Sequence, residues 1–325
     1  MDFLRRRNSA ALCGIAALLA GAASSALAQD YPTKPIRIVA TEPGGGSDFV
    51  ARVIAQGLTT ALNQQVIVEN RGGASGIIAA QLVARAPADG YTFYCPGNSF
   101  WTIPLLQKAP YDVLRDFTPI TLADRSPNVL VVHPSLPVKS AAELIRLAKA
   151  RPGELAFAAG STGSSNHLSA ELFRQMAGID LLRVPYKGSL PGLNDTVAGQ
   201  VQIIFVTAVS GAPLIKAGRL RALGITSLQP SAVLPGVPTV ASTGLPGFEA
   251  DVSHGLFAPA KLPPALATRI NAEVTKLLNQ PDVKDRLLGI GVETVGNSPE
   301  AFVDMLKAEV AKWSKVISYA GIRAD

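Results

Sequence analysis

Cysteine, aromatic residues and charge are all scarce in this chain, and each shortage closes off a class of function. Its 325 residues hold two cysteines, Cys13 and Cys95. Cys13 falls in an N-terminal stretch with the marks of an export signal, so a processed chain keeps one thiol and forms no intramolecular disulfide. The three histidines, His133, His167 and His254, have no second histidine or cysteine at metal-ligand spacing, which argues against a metal centre. Neither the G-x-S-x-G nucleophile elbow nor the G-x-x-x-x-G-K-[ST] phosphate loop occurs. Aromatic residues make up 6% and charged residues 17% of the chain, and the formal charge of +6 is scattered along it. A nucleic-acid surface needs a basic stripe interleaved with aromatics, so no nucleic-acid partner is expected. The mild positive balance favours small anions instead.

What is present begins with an address. Arg5, Arg6 and Arg7 precede an apolar run from Ala10 to Ala23, and Ala26-Leu27-Ala28 is a small-x-small cleavage site before Gln29. The run falls short of the about 20 residues that span a bilayer. Residues 1–28 therefore read as a signal peptide cleaved near Ala28, and the mature chain as a soluble protein of a bacterial periplasm. Some 300 residues remain, roughly twice the usual span of one core, so two lobes are expected. With 48% hydrophobic residues, 29 glycines and 24 prolines, the composition suits an α/β protein with many tight strand–helix junctions.

The junction Pro43-Gly44-Gly45-Gly46-Ser47-Asp48 is the most informative stretch, joining an expected strand at Ile36–Ala40 to an expected helix at Phe49–Leu62. Glycines there admit backbone angles closed to other residues and remove side chains that would hold a ligand away. The start of a helix adds unpaired N–H groups and the positive end of its dipole, a cradle for a carboxylate or phosphate. The arrangement recurs at Glu69–Gly76, Gly160–His167 and Pro185–Ser189. Strands alternating with helices imply parallel sheets with right-handed crossovers. First-lobe strands are expected at Ile36–Ala40, Val66–Val68 and Tyr91–Tyr94. Second-lobe strands are expected at Asn128–Val132, Leu155–Ala159, Leu181–Val184, Val201–Val206 and Leu220–Ile225. Helices at Pro264–Asn279, Pro281–Leu288 and Ser298–Ala320 then return to cover the first lobe. Lobe 1 thus comprises 29–126 and 253–325, and lobe 2 comprises 127–252. Two crossings, near Asp124–Val129 and Ala250–Phe257, make a hinge, and a hinge makes a cleft. Ligands on open α/β sheets sit beyond the carboxyl ends of the strands, where all four loops lie, two per lobe.

Other readings compete at particular residues. A strand, glycine turn, helix and second strand ending near Glu69 mimic a dinucleotide-binding unit, but Phe49 stands where the last glycine of G-x-G-x-x-G is needed. An exported enzyme acting on carboxylates lacks any visible nucleophile–base pair, and a sensory partner of a membrane receptor is a third possibility. Cys95 reads as a small buried apolar residue. His133, ahead of Pro134, reads as structural, whereas His167 in the first turn of a helix could cap, pack or touch ligand. Phe100 and Trp101, following Pro96–Ser99, could wall the cleft for a flat acid or pack beneath the loop.

Several segments in order carry a resemblance: Tyr31–Val39, the Pro43–Asp48 loop, Val68-Glu69-Asn70-Arg71, Ala88–Thr92, Val184–Gly188, Ile215–Leu223 and Leu234–Val240. Together they resemble the Bug family, the periplasmic solute-binding subunits of tripartite tricarboxylate transporters, over essentially the whole mature chain. The resemblance implies a two-lobed type II periplasmic binding protein fold, α/β with two hinge crossings, that closes on a small carboxylate. It implies a binding protein rather than an enzyme, with no cofactor, working as a monomer that delivers its ligand to membrane permease subunits. Matching ligand positions are Gly45, Gly46, Ser47, Asp48 and Ser75 in one lobe and Ser161, Thr162, Gly163, Ser164 and Ser165 in the other. Asn98 and His167 are further ligand candidates outside that matched set, and Asp48 fits a helix cap better than a contact. Two departures stand out. Ala40-Thr41-Glu42 replaces an apolar run ahead of Pro43, and Val206-Thr207 replaces an Asp-Asn pair. Glu42 at the cleft mouth would repel a multiply charged anion or pair with a cationic group, which argues against citrate-like ligands.

Overall fold

The structure, a computed structural model, describes residues 31–322 apart from Glu42, Gly45, Ala74, Ser75, Ser161 and Lys187. The signal peptide and its cleavage site lie outside the described residues. Short apolar strands build two sheets. The first contains Ile36–Ala40 (β1), Val66–Asn70 (β2), Thr92–Tyr94 (β3), Phe117–Ser126 (β4), Val252–Pro259 (β10) and Glu293–Thr294 (β11). Its order is β11-β4-β10-β3-β1-β2. The second contains Asn128–Val132 (β5), Ala156–Ala159 (β6), Leu182–Pro185 (β7), Ile203–Thr207 (β8) and Arg221–Ile225 (β9), ordered β7-β6-β8-β5-β9.

Neither sheet is wholly parallel. β1 pairs in parallel with β2 and β3, and β6 with β7 and β8. The strands next to the crossings reverse: β10 runs antiparallel to β3 and β4, and β5 antiparallel to β8 and β9. Composition did not betray β4, because Pro119 interrupts it and its pairing with β10 shifts register twice, near Gly255 and near Phe257. Such irregularities break the alternation from which a strand is read.

These directions put both sheets edge to edge. The chain leaves β1, β2 and β3 on one common edge, where β4 also ends at Ser126 and β10 begins at Val252. In the second sheet Asn128 lies opposite Thr207, so β5 enters at the edge where β6, β7 and β8 end. The carboxyl edges therefore face each other across two short crossings. These are knit together: Asn128 Nδ2 donates to the Ala250 carbonyl at 3.2 Å, and the Asn128 N–H donates to Thr226 Oγ1 at 2.8 Å.

Helices cover both sheets. Gly46–Leu62 (α1), Ile77–Ala84 (α2) and Ser99–Leu106 (α3) follow β1, β2 and β3. Ala141–Ala150 (α4), Ser165–Ala177 (α5), Ser189–Val197 (α6), Ala208–Lys216 (α7) and Val240–Thr243 (α8) belong with the second sheet, and Pro264–Leu278 (α9) and Pro281–Leu288 (α10) with the first. α4 starts as its sequence suggests, with Ser140 Oγ accepting from the Glu143 N–H. The last helix, Pro299–Ala320 (α11), departs from expectation. Phe302 and Leu306 pack with the first lobe, but Trp313, Val316 and Ile317 pack into the second core with Leu130, Phe157, Phe173 and Phe205. At 22 residues it runs roughly 33 Å, longer than one lobe needs. Met176, near the end of α5, is 39% exposed.

Candidate functional site

The glycine loop after β1 is clamped from below by two side chains. Ser47 is buried; its Oγ accepts from the Thr41 N–H at 3.2 Å and donates to the Cys95 carbonyl at 2.5 Å, tying α1 to the end of β3. Asp48 is also buried and accepts from the Gly44 N–H at 2.9 Å, from Asn70 Nδ2 at 2.9 Å and from Arg52. Burial opposes ionisation of Asp48, but hydrogen bonds from Arg52, Gly44 and Asn70 outweigh it and hold its carboxyl below the usual range. Both residues shape the loop. Neither side chain offers a spare donor to a ligand. Glu42, Gly45 and Ser75 lie outside the described residues.

Gly46, the first residue of α1, sits where a Cβ would come within 2.7 Å of the His254 ring. Only glycine leaves that approach undisturbed. Asn98 precedes α3 and reaches the Asp251 carbonyl at a long 3.5 Å. The aromatic wall does not form. Phe100 and Trp101 are 2% and 1% exposed, packed among Tyr94, Phe117, Phe257 and Phe302 beneath the loop, where burial of both rings stabilises the first lobe. Glu69 is committed to Arg37 at 2.9 Å and Arg71 at 2.5 Å, so it does not wait for a ribose.

Across the cleft, Asn166 organises the loop that sequence reading credited to its serines. Its Oδ1 accepts from the Gly160 N–H, the His167 N–H and Ser164 Oγ. His167 is fully buried, and its Nδ1 accepts from the Gly163 N–H at 3.1 Å. Its Nε2 looks toward Glu171 in a separate polar hollow shared with Arg174, Arg183 and Thr162. Thr162 accepts from Arg183. Gly163 adopts a positive φ of 79° and abuts Leu106 at the end of α3. Ser165 opens α5, half-buried. Ser161 lies outside the described residues.

Between the facing edges lies a cavity of about 360 Å³. Gly44, Gly46 and Phe49 come from the α1 side, Ser126, Val252 and His254 from the crossings, and Thr207 and Val209 from the start of α7. Thr207 caps α7 by accepting from the Ser210 N–H. His254 and Thr207 escaped sequence reading as cleft residues. The register shift in β10 and the capping role could not be read from spacing alone. A further hollow of about 330 Å³ between α1, α9 and α10 lies on the outer face, away from every glycine loop.

Two α/β lobes whose carboxyl edges face each other over a cleft at two crossings define a solute-binding protein of the periplasmic type. The family described as tripartite tricarboxylate transporter family receptor (TctC) matches residues 50–322. Protein BugT of Bordetella pertussis is 35% identical over 96% of this chain and 97% of its own length. The structure of Rhodopseudomonas palustris MatC with malate has a TM-score of 0.69 at 30% identity, covering 88% of this chain and all of that one. That of R. palustris Rpa4515 with adipate has a TM-score of 0.73 at 38% identity, over 90% of this chain and 99% of that one. The chain belongs to the TctC family of periplasmic solute-binding receptors, as its motifs suggested. Family and fold are those of binding proteins, not enzymes.

Proposed function

We propose that the protein captures a small carboxylate between its lobes and presents it to the membrane permease subunits of a tripartite tricarboxylate-type transporter. The observation that carries this reading is the convergence of helix starts from both lobes, α1 on one side and α7 on the other, on one cavity. Malate and adipate in related structures support an acid as ligand. On this reading the contacts fall to backbone N–H groups at Gly45 and Gly46, to Ser164 and Ser165 at the start of α5, and to Ser75 and Ser161. Thr162 and Gly163 shape that second loop, and Asn98 and Glu42 are further candidate contacts. Each helix start adds about 0.3–1 kcal/mol, and several with charge-assisted bonds reach micromolar affinity, about −8 kcal/mol.

The lobes divide at 29–126 with 253–325 and at 127–252, and α11 braces both. The mature chain starts after Ala28 and acts as a monomer. A thermal-shift panel of carboxylates, followed by titration calorimetry, tests the reading, since a ligand of the folded state raises its apparent stability. Small-angle scattering should show a smaller radius of gyration at saturation. A panel in which no acid shifts the transition would refute carboxylate capture.

A further inference from the structure

Among the described residues lining the central cavity, His254 has the only ionisable side chain. The β4–β10 register sets it opposite Asp124, and its Nδ1 lies 2.9 Å from Asp124 Oδ1. Asp124 is wholly buried, and its other oxygen has no hydrogen-bond partner among the described residues. The opposite edge of the ring, carrying Nε2, faces the start of α1 at Gly46 and makes no hydrogen bond among the described residues. The rest of the wall is largely apolar. Val209 from the second lobe and Ile290 from the first are 43% and 42% exposed, and Phe49 and Val252 flank them.

We propose that His254, oriented by Asp124, donates from Nε2 to the ligand's carboxylate, and that the cleft selects acids whose carboxylate sits on a plain aliphatic or aromatic body. This rests on the carboxylate reading above. A buried polar atom without a partner costs free energy. Hydroxyls or a third carboxylate set against Phe49, Val209 and Ile290 would find none, and a hydroxyl-bearing acid is thereby disfavoured. The groups facing the ring are Asp124 from β4, Gly97 after β3, and Gly46 with the positive end of α1. Thr207 completes the polar surroundings from the second lobe. Asp124 alone among them bears a charge. Burial disfavours the imidazolium, but the charge and hydrogen bond of Asp124 outweigh it and raise its pKa. The pairing thus favours the charged ring, which would neutralise one carboxylate.

Titration calorimetry of the purified protein with hexanoate, adipate, malate and citrate at about pH 6 and about pH 10, the span into which a raised histidine titrates, tests this. Hexanoate or adipate should bind at least about tenfold tighter than malate and citrate. Its Kd should rise at least about fivefold between those pH values as the imidazolium loses its proton. His254→Gln should abolish that pH dependence. Asp124→Asn should move the steep part of the profile to lower pH, a shift that a purely structural histidine would not produce, and it decides the matter if His254→Gln fails to fold. A pH-independent Kd for the wild type, or tightest binding to malate or citrate, overturns the proposal and leaves carboxylate capture standing. Binding of none of the four overturns both.

Discussion

Replacing Asp48 by alanine should unfasten the glycine loop, and its cost can be worked from the contacts. Two acceptor bonds serve groups that shape the loop, the Gly44 N–H and Asn70 Nδ2, each at 2.9 Å. Charge-assisted bonds of this kind contribute about 1.5–3 kcal/mol each where both groups are buried. Gly44 and Asn70 can turn partly to water, so the lower end applies. The Arg52 partner is 58% exposed, which limits that pair to at most about 1 kcal/mol. The sum is about 3–4 kcal/mol, read as a lowered midpoint in urea denaturation without a change in slope. Asp48→Asn supplies the pH test. The folded-state pKa lies below its unfolded value of about 3.9, so the carboxylate's contribution is present above that value and fades as pH falls through the folded pKa. The gap between wild type and Asp48→Asn should therefore be full at neutral pH and close in acid. A gap that stays constant into acid, or an Asp48→Ala variant as stable as wild type, would refute the clamp.

Asp251, at the second crossing, has its carboxyl pushed up to about 6, chiefly by burial; the Thr226 hydroxyl opposes this and Glu249 adds to it. A carboxyl raised above its unfolded value penalises the folded state as pH rises through about 6. Asp251→Asn, which keeps an acceptor for Thr226, should stabilise the protein by about 1–3 kcal/mol at alkaline pH and by nothing below about pH 4, as thermal unfolding across that range would show. Trp313→Ala removes a side chain 2% exposed and should cost about 3–5 kcal/mol. Unfolding of that variant followed by circular dichroism would expose any error, since a loss under 1 kcal/mol would mean that α11 does not brace the second lobe.

The regular parts of the fold were legible because local patterns agreed with the final packing. Ile36–Ala40 and Asn128–Val132 are apolar runs too short for helices, and Ser140 and Ser298 cap helices where their spacing with Glu143 and Pro299 announces it. The first glycine loop declared itself by composition. Roles inside the loops did not, because a hydroxyl or carboxylate at a helix start serves cap and ligand with the same chemistry. Ser47 and Asp48 turned inward, and Asn166, with nothing in the sequence to mark it, became the hub of the second loop. β4 was hidden by Pro119 and by its register shifts.

Those same shifts bear on the site. The register between β4 and β10 breaks directly after His254, so Asp124 stays opposite it while Gly255 moves to face Leu122. A Cβ on Gly255 would come within 2.3 Å of Phe302 on α11, so the bend draws the strand against the helix that braces both lobes. The residue that meets the cavity is thus held by a buried carboxylate on one side and by close strand–helix packing on the other. Groups held that firmly lose little freedom on binding, which lowers the entropic cost of recognising a small ligand. The crossings beside it are tied as well, for Asn128, Thr226, Ala250 and Asp251 exchange hydrogen bonds in one cluster. A firmly held first-lobe floor thus stands beside a hydrogen-bonded crossing, so a small ligand would meet an anchor already in place.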